Sequence, residues 1–513
     1  MEDMKSPGSV PIKPHAIVIG SGFGGLAAAV RLGVKGYRVT VLEKLDQPGG
    51  RAYAHRRGGY VFDAGPTIVT APFLLEELWT ISGKKMSDHI DLRPLNPFYR
   101  IRFDDGTWFD YSGDPEAMRK EVARFSPDDL VGYDRFFQEA EKCYRLGFED
   151  LSTVAFDSIT DLLAALPSMV KMKAWKSIHA LVAQHIRHPK LRMVFSFHPL
   201  LIGGNPFSVT CVYALINSLE RKHGVHWAMG GTGALVRGLV DLIESRGDVV
   251  RCQAEVKKIL VENGRATGVL LADGSRMSAD IVVCNADTAW VYKHLIDPEH
   301  RRHWTDRKIE RMRSSMSLFV WYFGTKRQFP DIPHHMILMG PRYKELLRDI
   351  FKRHHLAEDF SLYLHRPSAT DPSVAPPGHD TFYVLSPVPH LGSGTDWAVQ
   401  AEPYRKAIAE YLDKTVMPGF EAEVTESFVT TPVDFQNRLL SYRGAAFGPE
   451  PILSQSAWFR PHNRSEDVDR LFMVGASTHP GAGIPGVIGS AKALESVLPD
   501  PESLMPYQQV AHV

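Results

Sequence analysis

Positions 15–20 (HAIVIG) are an almost unbroken apolar run, too short for a helix and too apolar for a half-exposed strand, so they predict a buried parallel strand. Over 24–36 the spacing becomes helical, with Leu26, Ala29, Val30 and Leu32 on one side. At 38–43 (RVTVLE) it returns to a strand, completing a βαβ unit. From about 115 to 225 the chain reads mostly helical. Residues 250–287 carry short β-branched runs broken at Asn263-Gly264 and Asp273-Gly274, the pattern of an antiparallel meander. The meander leads into IVVCNAD (281–287), another buried strand of the first sheet. Residues 310–455 alternate strands (317–324 and 381–388) with helical stretches such as that near 404–415. A last strand, LFMVG (471–475), precedes a Gly-rich turn and a helix.

The strand–turn–helix at the start carries Gly20-Ser21-Gly22-Phe23-Gly24-Gly25, a G-x-G-x-x-G run. Gly20 serves the tight turn, Gly22 the close approach of a pyrophosphate, and Gly25 the packing of helix on strand. The phosphates would rest on the free N–H groups and positive dipole end of the helix that starts at Phe23. Glu43 ends the next strand, about 20 residues on, where an acid bonds a ribose hydroxyl pair and repels a 2′-phosphate. Lys44 follows it. A second glycine doublet, Gly49-Gly50-Arg51, and then Asp63-Ala64-Gly65-Pro66-Thr67 exceed what a simple NAD domain needs. They suit the extended diphosphate and ribitol of FAD. Gly475 to Gly489 (GASTHPGAGIPGVIG) supply a second strand–loop–helix, whose N-terminus at Gly486 and Val487 can face the flavin ring and stabilise its reduced form. The site is thus expected to be assembled from both chain ends.

Composition narrows the picture a little. The 513 residues suffice for two to four units at about 150 per domain. Lys+Arg and Asp+Glu balance at 59 each, which gives no reason to expect a polyanionic partner. The four cysteines (Cys143, Cys211, Cys252, Cys284) lack zinc spacing and read as buried thiols of a reducing compartment. Neither a signal peptide nor an apolar run of about 18 residues is present, so the expected location is cytoplasmic.

GSGFGGLAAAVRL, LEKLDQPGGRA, FDAGPT and VGASTHPGAGIPGVIGSAKA together resemble the bacterial phytoene desaturases, carotenoid desaturases of the flavin amine oxidase-like superfamily. The interior runs at 195–207, 230–239, 357–367, 386–392 and 454–463 agree, so the likeness spans about residues 14–497. It implies an α/β fold: a discontinuous Rossmann-like FAD-binding domain (14–95, 228–300 and 456–497), a mixed-sheet substrate domain (96–114 and 301–455) and an inserted helical membrane-contact region (115–227). It implies FAD, a long acyclic polyene substrate, and Val256 as a backbone contact to the adenine. Many flavoproteins of this type carry Gly-Asp after the last strand, the Asp bonding ribitol. Here the dipeptide is Gly475-Ala476, which leaves backbone groups or Ser477 to take that part.

The resemblance also offers a proton acceptor. Asp161 matches an acidic position suspected of proton transfer in related enzymes, although the Arg found three residues later in some of them is Ala164 here. Asp161 is equally a natural helix N-cap in ITDLLAAL. His479 suits contact with the flavin edge or bracing of its loop. Arg460 and His462 have no assigned part. Residues 162–192 hold six basic residues and no acid, interleaved with Leu166, Val170, Trp175, Leu181 and Ile186 at helical spacing. This predicts a basic amphipathic helix on an anionic membrane surface. No second redox site is visible, so the final electron acceptor is expected to be diffusible, oxygen or a quinone. The alternatives are a sister carotenoid isomerase, ketolase or later-step desaturase, a prenyl-binding escort on the same scaffold, and a generic amine oxidase.

Overall fold

The structure, a computed structural model, describes residues 13–504. Its first layer is a five-stranded parallel sheet in the order Leu471–Met473, Ile281–Cys284, His15–Ile19, Arg38–Leu42, Val249–Arg251. The first strand shows why its run is apolar throughout. Ala16 and Val18 face one core with Leu26, Val30 and Ile488, while Ile17 and Ile19 face another with Ile259 and Val269. The former core is roofed by helices Phe23–Lys35, Thr232–Glu244 and Ile484–Leu494. The latter is roofed by the antiparallel meander Val256–Glu262, Arg265–Leu271, Arg276–Ser278. The two chain ends therefore meet on one sheet.

The second layer is a seven-stranded mixed sheet, ordered Val424–Thr430, Ser317–Thr325, Asp380–Val388, Leu362–His365, His335–Leu338, Tyr99–Arg102, Trp108–Tyr111. Its pairings are antiparallel except that of His335–Leu338 with Tyr99–Arg102. Strand Ser317–Thr325 is buried along its whole length. Phe319, Trp321 and Phe323 pack under helix Trp397–Thr415, while Leu318, Val320 and Tyr322 point the other way, into the core shared with the helical insertion.

That insertion corrects one expectation. The single amphipathic helix foreseen over 162–192 is three helices, Ile159–Lys171, Ile178–His185 and Pro189–Ser196. Lys173 adopts a left-handed turn, Ser177 caps the second helix and Pro189 starts the third. Ile178, Leu181, Val182 and Ile186 are core residues, whereas Leu166, Val170 and Trp175 are exposed. Among the described residues no helix is long and apolar enough to cross a membrane. Cys143, Cys211 and Cys284 are buried, Cys252 is half-buried, and all four are free.

Candidate active site and cofactor pocket

Helix Phe23–Lys35 starts at Gly22 with no side chain capping its N–H groups and no acid in its first turn. Helix Ile484–Leu494 starts at Gly483 in the same way. Both N-termini border one cavity of about 670 Å³. Two sets of unspent N–H donors, each at the positive end of a helix dipole, thus face a common space. That suits a diphosphate at one end and an electron-rich ring at the other.

Of the residues expected to bind the dinucleotide, Gly20, Gly22, Phe23, Glu43, Lys44, Gly50, Arg51, Pro66, Thr67, Val256, Gly486 and Val487 line this cavity. Gly25 and Gly475 stand behind the wall and shape it. Gly20 has φ +90°, and a Cβ on Gly25 would come within 2.0 Å of the Gly20 carbonyl oxygen, so this turn closes only with glycine at both positions. Glu43 is buried, accepting bonds from the Ser21 N–H (2.9 Å), the Ser21 hydroxyl (2.5 Å) and the Leu45 N–H (2.9 Å). A carboxylate has about four acceptor sites, so capacity for a ribose hydroxyl remains.

Two residues of IVVCNAD carry more of the site than their reading as a strand foresaw. Asn285 inserts its amide among three glycines. A Cβ on Gly22, Gly24 or Gly475 would approach it to 2.8, 2.6 or 2.5 Å. Asp287 lines the cavity beside Arg51. Its carboxylate accepts from the Trp290 N–H and from the Ser477 hydroxyl, each at 3.1 Å. Burial pushes its pKa up, and those bonds together with the Arg51 charge pull it back. Ser477 is therefore turned toward Asp287, away from the role foreseen for it after Gly475-Ala476. The contacts that reveal these roles join segments far apart in sequence, so no local motif marks them.

His479 lines the cavity, and its Nε2 bonds the Leu151 carbonyl at 2.7 Å while its ring meets Phe156 edge-on. It braces the Gly-rich loop against the helical insertion. Arg460 is buried beneath that loop and donates to the Ala476 carbonyl at 2.6 Å. His462 bonds the Trp458 carbonyl and holds its own turn. Burial lowers the His479 pKa to about 4, from 6.5 when unfolded. A depressed pKa means that the unfolded chain binds the proton more readily. The stabilisation is then complete above pH 6.5 and is lost as pH falls toward 4. A depression of that size corresponds to about 3 kcal/mol. Denaturant unfolding of His479→Asn should show a correspondingly shallower loss of stability over that window, and an unchanged slope would clear His479 of the effect.

Asp161 is placed differently. Ser158, not Asp161, is the N-cap of helix Ile159–Lys171. Asp161 is the third helical residue, its carboxylate accepting from the Ser158 N–H at 3.2 Å in a capping box. It is partly exposed and does not border the cavity. This geometry predicts that Asp161→Asn, which keeps an acceptor for that N–H, turns over substrate near the wild-type rate. Asp161→Ala, which removes only the return bond of a partly exposed capping box, should cost about 0.5 kcal/mol of stability. A drop of about a hundredfold in the Asn variant, the usual contribution of a positioned base, would instead make this carboxylate the proton acceptor.

The chain matches the family "Flavin containing amine oxidoreductase" over residues 23–493. It is 50% identical over 491 residues to the neurosporene-forming phytoene desaturase of Cereibacter sphaeroides, covering 95% of both chains. It is 48% identical over 489 residues to the lycopene-forming phytoene desaturase of a Paracoccus species, covering 95% of this chain and 98% of that one. Among solved structures, an oxidoreductase from Methanosarcina mazei superposes with a TM-score of 0.64 at 17% identity, covering 94% of this chain and all of that one. Cyclohexylamine oxidase from Brevibacterium oxydans gives 0.61 at 17%, covering 96% of this chain and all of that one. The chain belongs to the flavin-containing amine oxidoreductase family and, within it, to the bacterial phytoene desaturases. It is a flavin-dependent oxidoreductase with FAD as its cofactor.

Proposed function

We propose that this chain desaturates phytoene, removing a hydride and a proton from adjacent carbons in successive turns to give lycopene or a less desaturated product. The observation that carries this reading is the continuity of the cavity. The space that borders Gly22 and Glu43 also borders Leu200, Val212, Leu318 and Ile337, side chains with no hydrogen-bonding group. A hydrocarbon polyene offers no polar handle, so an apolar wall of matching shape is the recognition available to it. FAD, when bound, supplies the hydride acceptor, while the residues of the chain position the polyene, exclude water and receive the proton. FAD-supplemented enzyme mixed with phytoene-loaded liposomes should develop visible absorption from lengthened polyenes, and chromatography of the extract should count the desaturations. A protein that holds FAD yet leaves phytoene unchanged would contradict the reading.

The division into a dinucleotide domain, a substrate domain and the insertion belongs to the same proposal, as does a membrane surface as partner. Ile159, Leu163, Leu166, Val170 and Trp175 are 53, 57, 40, 59 and 62% exposed, and Lys171, Lys173 and Lys176 lie among them. Apolar side chains next to ammonium groups suit an anionic lipid interface. Met169, on the same helix, lines the cavity, which supports entry of a lipid-dissolved substrate at this end. The acceptor that reoxidises the flavin is proposed to be oxygen or a quinone.

A further inference from the structure

Removing hydrogen across a C–C bond leaves a proton for the protein to take, and Asp161 does not border the cavity in which it is released. A different set of polar groups does. Thr67, Tyr363 and Tyr383 line the cavity and are buried. The Tyr383 hydroxyl lies 2.5 Å from Thr67 Oγ1, and the Tyr363 hydroxyl lies 3.2 Å from the same atom. Behind them, the Tyr363 hydroxyl lies 2.7 Å from His335 Nδ1, which lies 3.2 Å from His365 Nδ1. Both histidines are 1% exposed. The sheet fixes this chain of contacts. His335 and His365 are cross-strand partners, as are His365 and Tyr383, and alternation puts Tyr363 on the same face as His365. That face is the one that borders the cavity.

We propose that the Thr67–Tyr383–Tyr363–His335–His365 network is the proton acceptor of the reaction, with Tyr363 the group at the cavity wall and His335 Nδ1 the seat of the proton. The inference rests on the desaturase reading above. As the hydride leaves one carbon for the flavin, the neighbouring C–H bond breaks, and its electron pair becomes the new π bond. Its proton goes to the Tyr363 oxygen while the Tyr363 hydroxyl proton passes to His335 Nδ1. Tyr363 ends as the neutral phenol it began as, and His335 carries the positive charge that the hydride left on the polyene. The charge is returned when the oxygen or quinone acceptor, which takes up two electrons and two protons, is reduced.

The hydrogen-bond directions are consistent with this. With the ring protons of His335 and His365 on Nε2, donation from Tyr383 to Thr67, from Thr67 to Tyr363 and from Tyr363 to His335 uses each hydroxyl once as donor, makes the His335 Nδ1 lone pair the terminus, and leaves the His365 Nδ1 lone pair to accept from His335 once it is protonated. Burial holds both imidazoles neutral, with pKa values well below 6.5. Such an imidazole is a weak base, but a C–H bond beside an allylic cation is a far stronger acid than imidazolium. The same low pKa favours later release of the proton. His334 sits 4.5 and 4.9 Å, ring to ring, from His335 and His365, with its Nδ1 on Thr370 Oγ1 at 2.7 Å. It adds no negative charge that would trap the proton.

The test uses full-length enzyme, Tyr363→Phe and His335→Gln. With FAD content and melting temperature like wild type, both variants should lose about a hundredfold or more in kcat with KM little changed. Phytoene deuterated at one or the other of the two reacting carbons should then show an isotope effect that moves, in the variants, to the carbon losing the proton. Independently of turnover, histidine-selective ¹⁵N spectra of the cofactor-free chain should show neutral rings, with the His335 Nδ1 signal displaced in Tyr363→Phe. Tyr363→Phe that turns over normally, while wild type desaturates phytoene, would overturn the relay and leave the proposed function standing. Wild type that fails to desaturate would remove the proposed function itself. A stoichiometric metal ion in the purified protein that is lost in His365→Ala would also overturn the relay, because the buried histidine cluster rather than Asp297, Glu299 and His300 would then hold it.

Discussion

Gly22→Val abolishes FAD binding and leaves the cofactor-free fold intact. Gly22 lies at φ −65° and ψ 168°, a conformation valine adopts without strain. The nearest atom to an added Cβ is the Asn285 amide nitrogen at 2.8 Å, the end of a side chain that can swing aside. The protein therefore accommodates the branch, but the diphosphate does not, because the branch occupies the approach to the uncapped helix N-terminus. A block worth about 4 kcal/mol is on the order of a thousandfold in Kd. The purified variant should lack the flavin spectrum and gain no melting temperature from added FAD, with unfolding otherwise like that of cofactor-free wild type. Gly25→Ala is the contrast. Its Cβ, fixed on the helix backbone, would meet the Gly20 carbonyl oxygen at 2.0 Å, with no flexible side chain to give way, so that variant should fail to fold. If Gly22→Val bound FAD normally, the diphosphate would lie elsewhere.

Replacing Lys171, Lys173 and Lys176 together with Glu is expected to have the second largest effect, on membrane binding alone. Each basic residue close to an anionic surface contributes about 1 kcal/mol, so losing three weakens binding by more than about a hundredfold, and the new carboxylates add repulsion. None of the three lines the cavity, so FAD content should be unchanged. Flotation with vesicles containing phosphatidylserine reads the effect directly. Binding at wild-type strength would move the docking surface away from helix Ile159–Lys171.

How much was legible in the sequence follows from the range of the interactions. The turn and helix start at Gly20–Gly25, Glu43, and the second glycine-rich helix start near Gly486 and Val487, all at or just behind the wall of the cavity, were readable because turn, cap and helix dipole are local, and local chemistry is written in adjacent residues. The parallel sheet was readable because a strand buried on both faces has an unbroken apolar run. Asn285 and Asp287 were not, since their partners are glycines and an arginine that only the sheet order brings beside them. The His335–His365 pair depended on strand register, which no periodicity in either segment encodes. The 162–192 stretch misled because exposed and core-facing apolar residues look alike until the turn at Lys173 separates them. Asp161 misled by three positions, from N-cap to N3, since both ends of a capping box are polar residues at the start of a helix.

The central claim, that the flavin of this chain is reduced by a hydrocarbon polyene, is tested most directly without oxygen. FAD-loaded enzyme mixed anaerobically with phytoene in anionic liposomes should bleach the flavin absorption, with one new double bond formed per flavin reduced and no turnover until an acceptor is admitted. Flavin that stays oxidised with phytoene but bleaches with a primary amine would contradict the claim and make the chain an amine oxidase in chemistry as well as in fold.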